Sequence, residues 1–432
     1  MEPCFDFHIH RHDDATPACA APRRKRSRSA AAAGALLLAA ATATALLPEP
    51  AAAAESDGFL YGRLETTADK AYTGILRWGD EEAFWDDLFN SGKVELPHAS
   101  STSSDPKKAR TVEVFGKKLT FRWGDNVASR HFVTRFGDIA RLEPIDGKVR
   151  LSMRGGSEII VAGSSNDVTA TVEVRDATIG TVQVPWKRIK SVEFQQAPKD
   201  VELPGFRLAG TVRTTAGTFE GFVQWDKQEC LSIDKLDGDE DGIRLSLPMG
   251  NIRTIERHSR AASRVTLQDG RTMILDGTND VDDSNRGILV EDERFGRVEV
   301  PWSAFERVEF RRDAGSGRAY SEFGKYGELQ GRVSANGKTR TGRIVFDLDE
   351  AYGWEMLDGF KDDIAYSIPF GMVARIEPRG TRSALVRLKN GQELVLSDTQ
   401  DVTDDNDGIL VFEGSGDPVH IPWDAVGWIE LD

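Results

Sequence analysis

One residue pattern recurs six times along this chain and limits its fold more than any other feature. Its fullest form is Val298-Glu-Val-Pro-Trp-Ser-Ala-Phe-Glu-Arg-Val-Glu-Phe310. It returns as Val182-Gln-Val-Pro-Trp-Lys-Arg-Ile-Lys-Ser-Val-Glu-Phe194 and Val419-His-Ile-Pro-Trp-Asp-Ala-Val-Gly-Trp-Ile-Glu-Leu431. Leu245-Ser-Leu-Pro-Met-Gly-Asn-Ile-Arg-Thr-Ile-Glu256 and Tyr366-Ser-Ile-Pro-Phe-Gly-Met-Val-Ala-Arg-Ile-Glu377 replace the tryptophan. Phe132-Val-Thr-Arg-Phe-Gly-Asp-Ile-Ala-Arg-Leu-Glu143 lacks the proline. Val298, Val300 and Trp302 share one parity, so they face one side of a strand. Pro301 points to the other side, where a missing amide donor is tolerated at an edge or strand end. The step then widens to three, from Trp302 to Phe305 to Val308, which fits one 3₁₀ turn. Alternation resumes at Val308 and Phe310. The Pro-Trp tryptophans are therefore expected in the core rather than on a ligand-stacking surface. Trp428, out of step with Val426 and Ile429, is expected outside.

The pattern closes units arranged at a long period. Gly210 and Gly331 are 121 residues apart, as are Trp302 and Trp423, and Trp186 and Trp302 are 116 apart. A period this long describes an array of whole domains rather than a thin solenoid. Each long repeat splits into halves that open with glycine-bearing hairpins. One hairpin runs through residues 210–226, with counterparts at 62–78 and 331–347. The other begins at Val265-Thr-Leu-Gln-Asp-Gly270, matched by Val386-Arg-Leu-Lys-Asn-Gly391 and Val149-Arg-Leu-Ser-Met-Arg-Gly155. The expected domains are residues 55–197, 198–313 and 314–432, with linkers at 195–205 and 314–328. The first repeat is longer and carries an insertion at about 92–126, comprising a Ser-rich loop at 98–105 and a hairpin at 111–123.

Strand, 3₁₀ turn and strand at the end of each all-β unit resembles the last two strands of Sm-like and Src-homology-type small β-barrels. The resemblance covers all six units. It implies an all-β chain of three tandem repeats, each a pair of small five-stranded barrels. A unit of this size buries only about 60% of its chain surface, so the two halves of a repeat are expected to pack as one domain. Sm-like proteins bind RNA, but composition points elsewhere. The formal net charge is -15, and no basic stripe follows residue 54. A nucleic-acid binder needs such a stripe to displace counterions, and an acidic chain suits anionic membranes poorly.

Residues 1–54 read as an export signal. Arg23-Arg-Lys-Arg-Ser-Arg28 forms a positive region, residues 30–47 an Ala- and Leu-rich apolar stretch, and Ala52-Ala-Ala54 a small-residue cleavage site. A retained N-terminal membrane anchor and an organelle transit peptide are the alternatives. Once a signal is removed, no membrane span is expected. The His8, His10 and His12 tract would leave with the leader, as would Cys4 and Cys19. Cys230 then stands alone in the apolar run Cys230-Leu-Ser-Ile233, a setting for a buried thiol.

Chemistry is harder to place. His98, His131, His258 and His420 fall at unrelated positions. No Ser/His/Asp order, zinc spacing, phosphate loop or dinucleotide fingerprint is present, and Ser104-Asp-Pro-Lys107 has no supporting motif. No catalytic residue and no organic cofactor are expected. Acidic loops are the strongest candidates. Asp237-Gly-Asp-Glu-Asp-Gly242 supplies Asp237, Asp239 and Asp241 at alternate positions, and Asn279-Asp-Val-Asp-Asp-Ser-Asn-Arg-Gly287 supplies Asp280, Asp282 and Asp283. Clustered hard oxygens suit calcium, and the same residue types build hairpin turns. Both readings stay open, although Pro248 at the twelfth position of a loop that starts at Asp237 excludes an EF-hand. Six recurring glutamates (Glu143, Glu193, Glu256, Glu309, Glu377 and Glu430) are expected to be spread along the array. The leading functional expectation is an exported, non-enzymatic interaction or scaffold protein, periplasmic or secreted, that binds a protein, peptide or glycan. A calcium-dependent adhesion or matrix module and a hydrolase with an acidic cleft are the alternatives.

Overall fold

The computed structural model describes residues 55–93, 110–114, 117–121, 130–162, 165–312 and 314–432. The leader with its histidines, the Ser-rich loop with His98, and Ser104 to Lys107 lie outside the described residues. Regular structure is almost entirely β. Two large antiparallel sheets account for most of it, and the inserted hairpin pairs Arg110–Val114 with Lys117–Phe121 as a separate two-stranded sheet. Among the described residues, no helix is long and apolar enough to cross a membrane.

The recurring pattern folds locally as its spacing requires. Gly296–Val300 is a strand, residues 301–304 turn, and Phe305–Arg311 is the next strand. The turn is closed by the Ala304 amide on the Pro301 carbonyl (3.0 Å) and the Phe305 amide on the Trp302 carbonyl (3.3 Å). The other five copies hold 3₁₀ turns at Phe136–Asp138, Trp186–Arg188, Met249–Asn251, Phe370–Met372 and Trp423–Ala425. Trp302 and Trp423 are buried, whereas Trp186 is only partly so. Trp428 is half-buried, because the Arg375 guanidinium lies 4.4 Å over its ring.

Strand pairing departs from six separate barrels. In the second repeat the ladder begins at Ile243–Pro248 and passes through Lys235–Glu240, Thr272–Asp276, Ala262–Leu267 and Ile252–Arg257. It continues through Phe305–Arg311, Ala209–Thr214, Gly217–Gln224, Ile288–Asp292 and Gly296–Val300. Each half thus gives away its opening hairpin. The 209–224 hairpin pairs with strands of the second half, and the 262–276 hairpin pairs with strands of the first. The same order runs through 61–194 and through 330–431. No sheet closes into a barrel. Closure requires the two end strands of a ladder to pair with each other, but Ile243–Pro248 and Gly296–Val300 do not, and the middle of the ladder is a seam where two pattern-closing strands lie side by side. Ile255 sits opposite Val308 in one such seam and Ile376 opposite Ile429 in another.

The hairpin glycines belong to these exchanged ladders. A Cβ on Gly74, Gly221 or Gly342 would collide with the carbonyl of Arg175, Glu291 or Phe412, each on the neighbouring strand of the other half. The six glutamates are also brought together in pairs at the seams, not spread out. Arg141 bridges Glu143 (2.9 Å) and Glu193, Arg307 bridges Glu256 and Glu309 (3.3 Å), and Arg375 bridges Glu377 (2.6 Å) and Glu430 (3.7 Å). In the seam register Arg141 lies directly opposite Glu193, Arg307 opposite Glu256 and Arg375 opposite Glu430, opposite-charge pairs of the kind that stabilise adjacent strands.

Gly296–Val300 also pairs with Ile364–Pro369, so the second and third repeats share one continuous sheet and one hydrophobic core. The first repeat is held differently. Residues 314–328, expected as a linker, pack onto it. The Tyr320 hydroxyl donates to the Ile139 carbonyl (2.9 Å), the Gly324 amide donates to Asp138 Oδ1 (2.8 Å), and Phe323 enters the first repeat's core with Trp354.

Candidate functional site

Among the described residues many buried charged groups lie in two kinds of place: the contacts between repeats and a corner inside each repeat. At the contact between first and second repeats, Asp86 and Asp87 follow the buried Phe84-Trp85 pair. Arg207 reaches Asp86 at 2.7 Å and donates to the Ser316 carbonyl at 3.1 Å. Its guanidinium lies between the rings of Phe84 (4.1 Å) and Phe222 (3.9 Å). Arg297 pairs with Asp87 at 3.0 Å and with Glu291, which also meets Arg135 at 3.3 Å. Burial alone would raise the Asp86 pKa, but the Arg207 charge and hydrogen bond outweigh it and bring the group down to about 2. Burial prevails at Asp87, which is raised. Against the third repeat, Lys93 is buried with Glu355 and the Asp349 carbonyl. Unpaired, any of these ions would be costly, so the partners hold the repeats in one relation.

The corner follows the opening hairpin. In the second repeat the chain turns at Trp225-Asp-Lys-Gln-Glu229, closed by Trp225 and Glu229 exchanging backbone hydrogen bonds at 2.8 and 2.9 Å. Asp226 and Lys227 take positive φ values of 49° and 56°. The Trp225 indole N–H donates to the Asp280 carbonyl at 2.8 Å, and the Asp237 amide donates to Asp280 Oδ2 at 2.7 Å. The Asp226, Glu229 and Asp280 side chains each place a carboxylate oxygen within 4.8 Å of the others, and all three residues are buried. Asp226 is partnered by Asn279 and by Arg286 Nε at 3.0 Å. Glu229 Oε2 is buried without a hydrogen-bond partner. Burial first, then the charges of Asp280 and Asp226, push the Glu229 carboxyl up to about 9. Asp280 is raised to about 6, mainly by burial.

The third repeat repeats the corner at Phe346-Asp-Leu-Asp-Glu350, where Asp347, Asp349 and Glu350 come within 4.8 Å of one another. Asp401 accepts the Asp358 amide at 2.7 Å, as Asp280 does that of Asp237. Burial and the charges of Asp349, Asp401 and Asp347 raise Glu350 well above its ordinary value, and its Oε2 also lacks a partner. In the first repeat the Trp78 indole donates to the Asp167 carbonyl at 2.9 Å, and Asp167 Oδ2 accepts the Asn90 amide at 2.6 Å.

Of the acidic residues singled out in the sequence, only Asp280 joins this cluster by its side chain. Asp237 contributes its backbone amide. Asp239 pairs with Arg244 at 3.5 Å, and Asp241 occupies the tip of the hairpin with φ 50°, followed by Gly242 at φ 78°. Asp282 caps its own turn through the Ser284 amide at 2.8 Å, and Asp283 pairs with Arg260. Asp226, Glu229, Asp347, Asp349 and Glu350 lie outside those Asp-rich loops. Their signal in the sequence is an aromatic residue followed four places later by glutamate after every opening hairpin, at Trp78 and Glu82, Trp225 and Glu229, and Phe346 and Glu350. Cys230 is buried and free, its thiol pushed well up by desolvation. No protein-family model, curated protein or solved structure matches the chain.

Proposed function

We propose that the chain is an exported, non-enzymatic scaffold that binds a protein, peptide or glycan of the cell envelope through its sheet surfaces and edges. The observation that carries this reading is the set of buried ion pairs between repeats, Arg207 with Asp86, Arg297 with Asp87, and Lys93 with Glu355. They hold three repeats in one fixed relation, so ligand-binding surfaces at set spacings can act together and gain avidity. In the same reading, each repeat is a pair of Sm-like five-strand units that have exchanged their opening hairpins. Support comes from the strand, 3₁₀ turn, strand ending and from its last strand, Phe305–Arg311, returning beside Ala209–Thr214. A hydrolase needs carboxylates facing a cleft, and Glu229 and Asp280 are each only 7% exposed. Capture from envelope extracts on the immobilised full chain tests the proposal: a recurrent salt-resistant partner is expected, and recovery of none at any salt concentration rejects it.

A second reading, calcium binding, is favoured by the unpartnered Oε2 atoms of Glu229 and Glu350 at corresponding corners. A hard cation would satisfy them with oxygen ligands. Chelator-treated protein should then melt higher when calcium is added, and Glu229→Gln should shrink that rise. An unchanged melt at saturating calcium removes this reading.

A further inference from the structure

The junction between second and third repeats is made by strand addition. Gly296–Val300 pairs with Ile364–Pro369 in the register Arg297 to Ser367, Val298 to Tyr366 and Glu299 to Ala365. Every residue of Ile364–Pro369 is buried there. Tyr366 packs edge-on against Phe295 at 6.0 Å and Phe219 at 6.2 Å. Gly296 suits the close approach, since a Cβ on it would meet the Ser367 carbonyl at 2.7 Å.

The same two kinds of edge occur elsewhere without this partner. Gly180–Pro185 stands 116 residues before the Gly296 strand, and Ile243–Pro248 stands 121 before the Ile364 strand. Among the described residues each has one ladder neighbour only, Thr171–Asp176 and Lys235–Glu240 respectively. Their exposure contrasts with the junction: only Val184 of the first is buried, and no residue of the second is. The two most exposed large hydrophobic side chains of the described protein mark these edges, Ile243 at 65% and Ile179 at 58%. Monomeric proteins usually blunt a free edge with charge, proline or a bulge rather than leave large apolar side chains beside it. Gly180 has φ 83°, as Gly296 does, and open space where Gly296 meets its neighbour.

We propose that copies of this chain join head to tail, the Gly180–Pro185 edge of one adding antiparallel to the Ile243–Pro248 edge of the next. The proposal rests on the scaffold reading and names its partner as a second copy. Transferring the junction register sets Thr181 opposite Ser246, Val182 opposite Leu245, and Gln183 opposite Arg244. These are hydroxyl, apolar and polar pairs of the kind that stabilise adjacent strands, with no like charges opposed. Ile179 and Tyr72 then stand by Leu245 where Phe295 and Phe219 stand by Tyr366. Within one chain the two edges are not paired with each other, and the Arg207–Asp86 and Arg297–Asp87 pairs hold the first repeat in place against the second. The edges are different surfaces, so the contact is heterologous and propagates into a filament or a ring.

Sedimentation velocity of the full chain over a concentration series tests this. Two variants each block one edge at exposed positions: Ile179→Lys with Gln183→Lys, and Ile243→Lys with Ser246→Lys. Thermal melts that match the native chain establish that both fold. The native mass is expected to rise with concentration, each blocked variant to stay monomeric, and an equimolar mixture of the two to stop at dimer. A native chain that stays monomeric, blocked variants that grow as the native does, or a mixture that forms no dimer would each overturn the proposal. Blocked monomers that still capture an envelope partner would leave the scaffold reading standing while self-assembly fails.

Discussion

Arg207→Met isolates what the buried charges between repeats contribute. Methionine keeps an apolar stem of similar length but removes the guanidinium that lies over the Phe84 and Phe222 rings and 2.7 Å from Asp86. Breaking a buried pair by removing one partner costs about 3–5 kcal/mol. The low end, about 3 kcal/mol, is expected because Arg318 and Arg135 still face Asp86 and share its charge. A second route gives a similar size. Folding lowers the Asp86 pKa from 3.8 to about 2, which at 1.36 kcal/mol per unit is a contribution on the order of 2 kcal/mol. Because the folded pKa is depressed, that contribution is present above pH 3.8 and is lost as pH falls toward 2. Urea unfolding followed by tryptophan fluorescence reads the effect. Arg207→Met should lower the midpoint at pH 7, the difference from native should narrow below pH 4, and Asp86→Leu added to Arg207→Met should recover much of the loss. A loss below about 1 kcal/mol, or one that persists unchanged at low pH, would refute the argument that Arg207 acts by compensating Asp86.

Three further outcomes follow from the same geometry. Glu229 is raised from 4.5 to about 9, so the native state holds a proton that the unfolded chain releases. Stability should therefore fall as pH rises across that window, and melts of Glu229→Gln should show a flatter pH dependence. Lys93→Met strands the buried Glu355 carboxylate between first and third repeats and should destabilise the chain by about 3–5 kcal/mol, with Lys93→Met plus Glu355→Gln, which keeps an acceptor for the Ala351 and Tyr352 amides, closer to native in denaturant midpoint. Gly221→Ala would drive a methyl into the Glu291 carbonyl of the adjacent strand. It should cost more than the ~0.5–1 kcal/mol by which alanine usually benefits a strand interior over glycine, read as a lower melting temperature where free space would predict a higher one.

Much of the local structure was legible in the residues themselves. The parity of Val298, Val300 and Trp302 and the step of three to Phe305 and Val308 specified strand, turn and strand, and the turn hydrogen bonds at Pro301 and Trp302 obey them. The hairpin at 210–226 and the inserted hairpin were legible for the same reason: alternation and glycine turns are short-range signals. The corner cluster was less so. Asp280 was visible in an Asp-rich loop, but Glu229 and Asp226 gain significance only because Trp225 donates its indole N–H to the backbone of a loop 55 residues away. Residues 314–328 read as a polar linker, yet Tyr320, Phe323 and Gly324 dock on the first repeat because Asp138, Ile139 and its aromatic core await them there.

What the sequence determined by itself was the β character of the chain and the internal geometry of its recurring strand, 3₁₀ turn and strand, because period-two alternation and the step of three are local in cause. What only the tertiary structure decided was which strand each one pairs with. An antiparallel ladder is made of backbone hydrogen bonds that any strand of fitting length and facing can accept. The alternation of Val212 and Phe219 is therefore satisfied equally by its own half or by the next. The exchange of hairpins, the pairing of glutamates across each seam and the burial of Asp86 beneath Arg207 were settled by the burial of apolar faces and the need to compensate the charges buried with them.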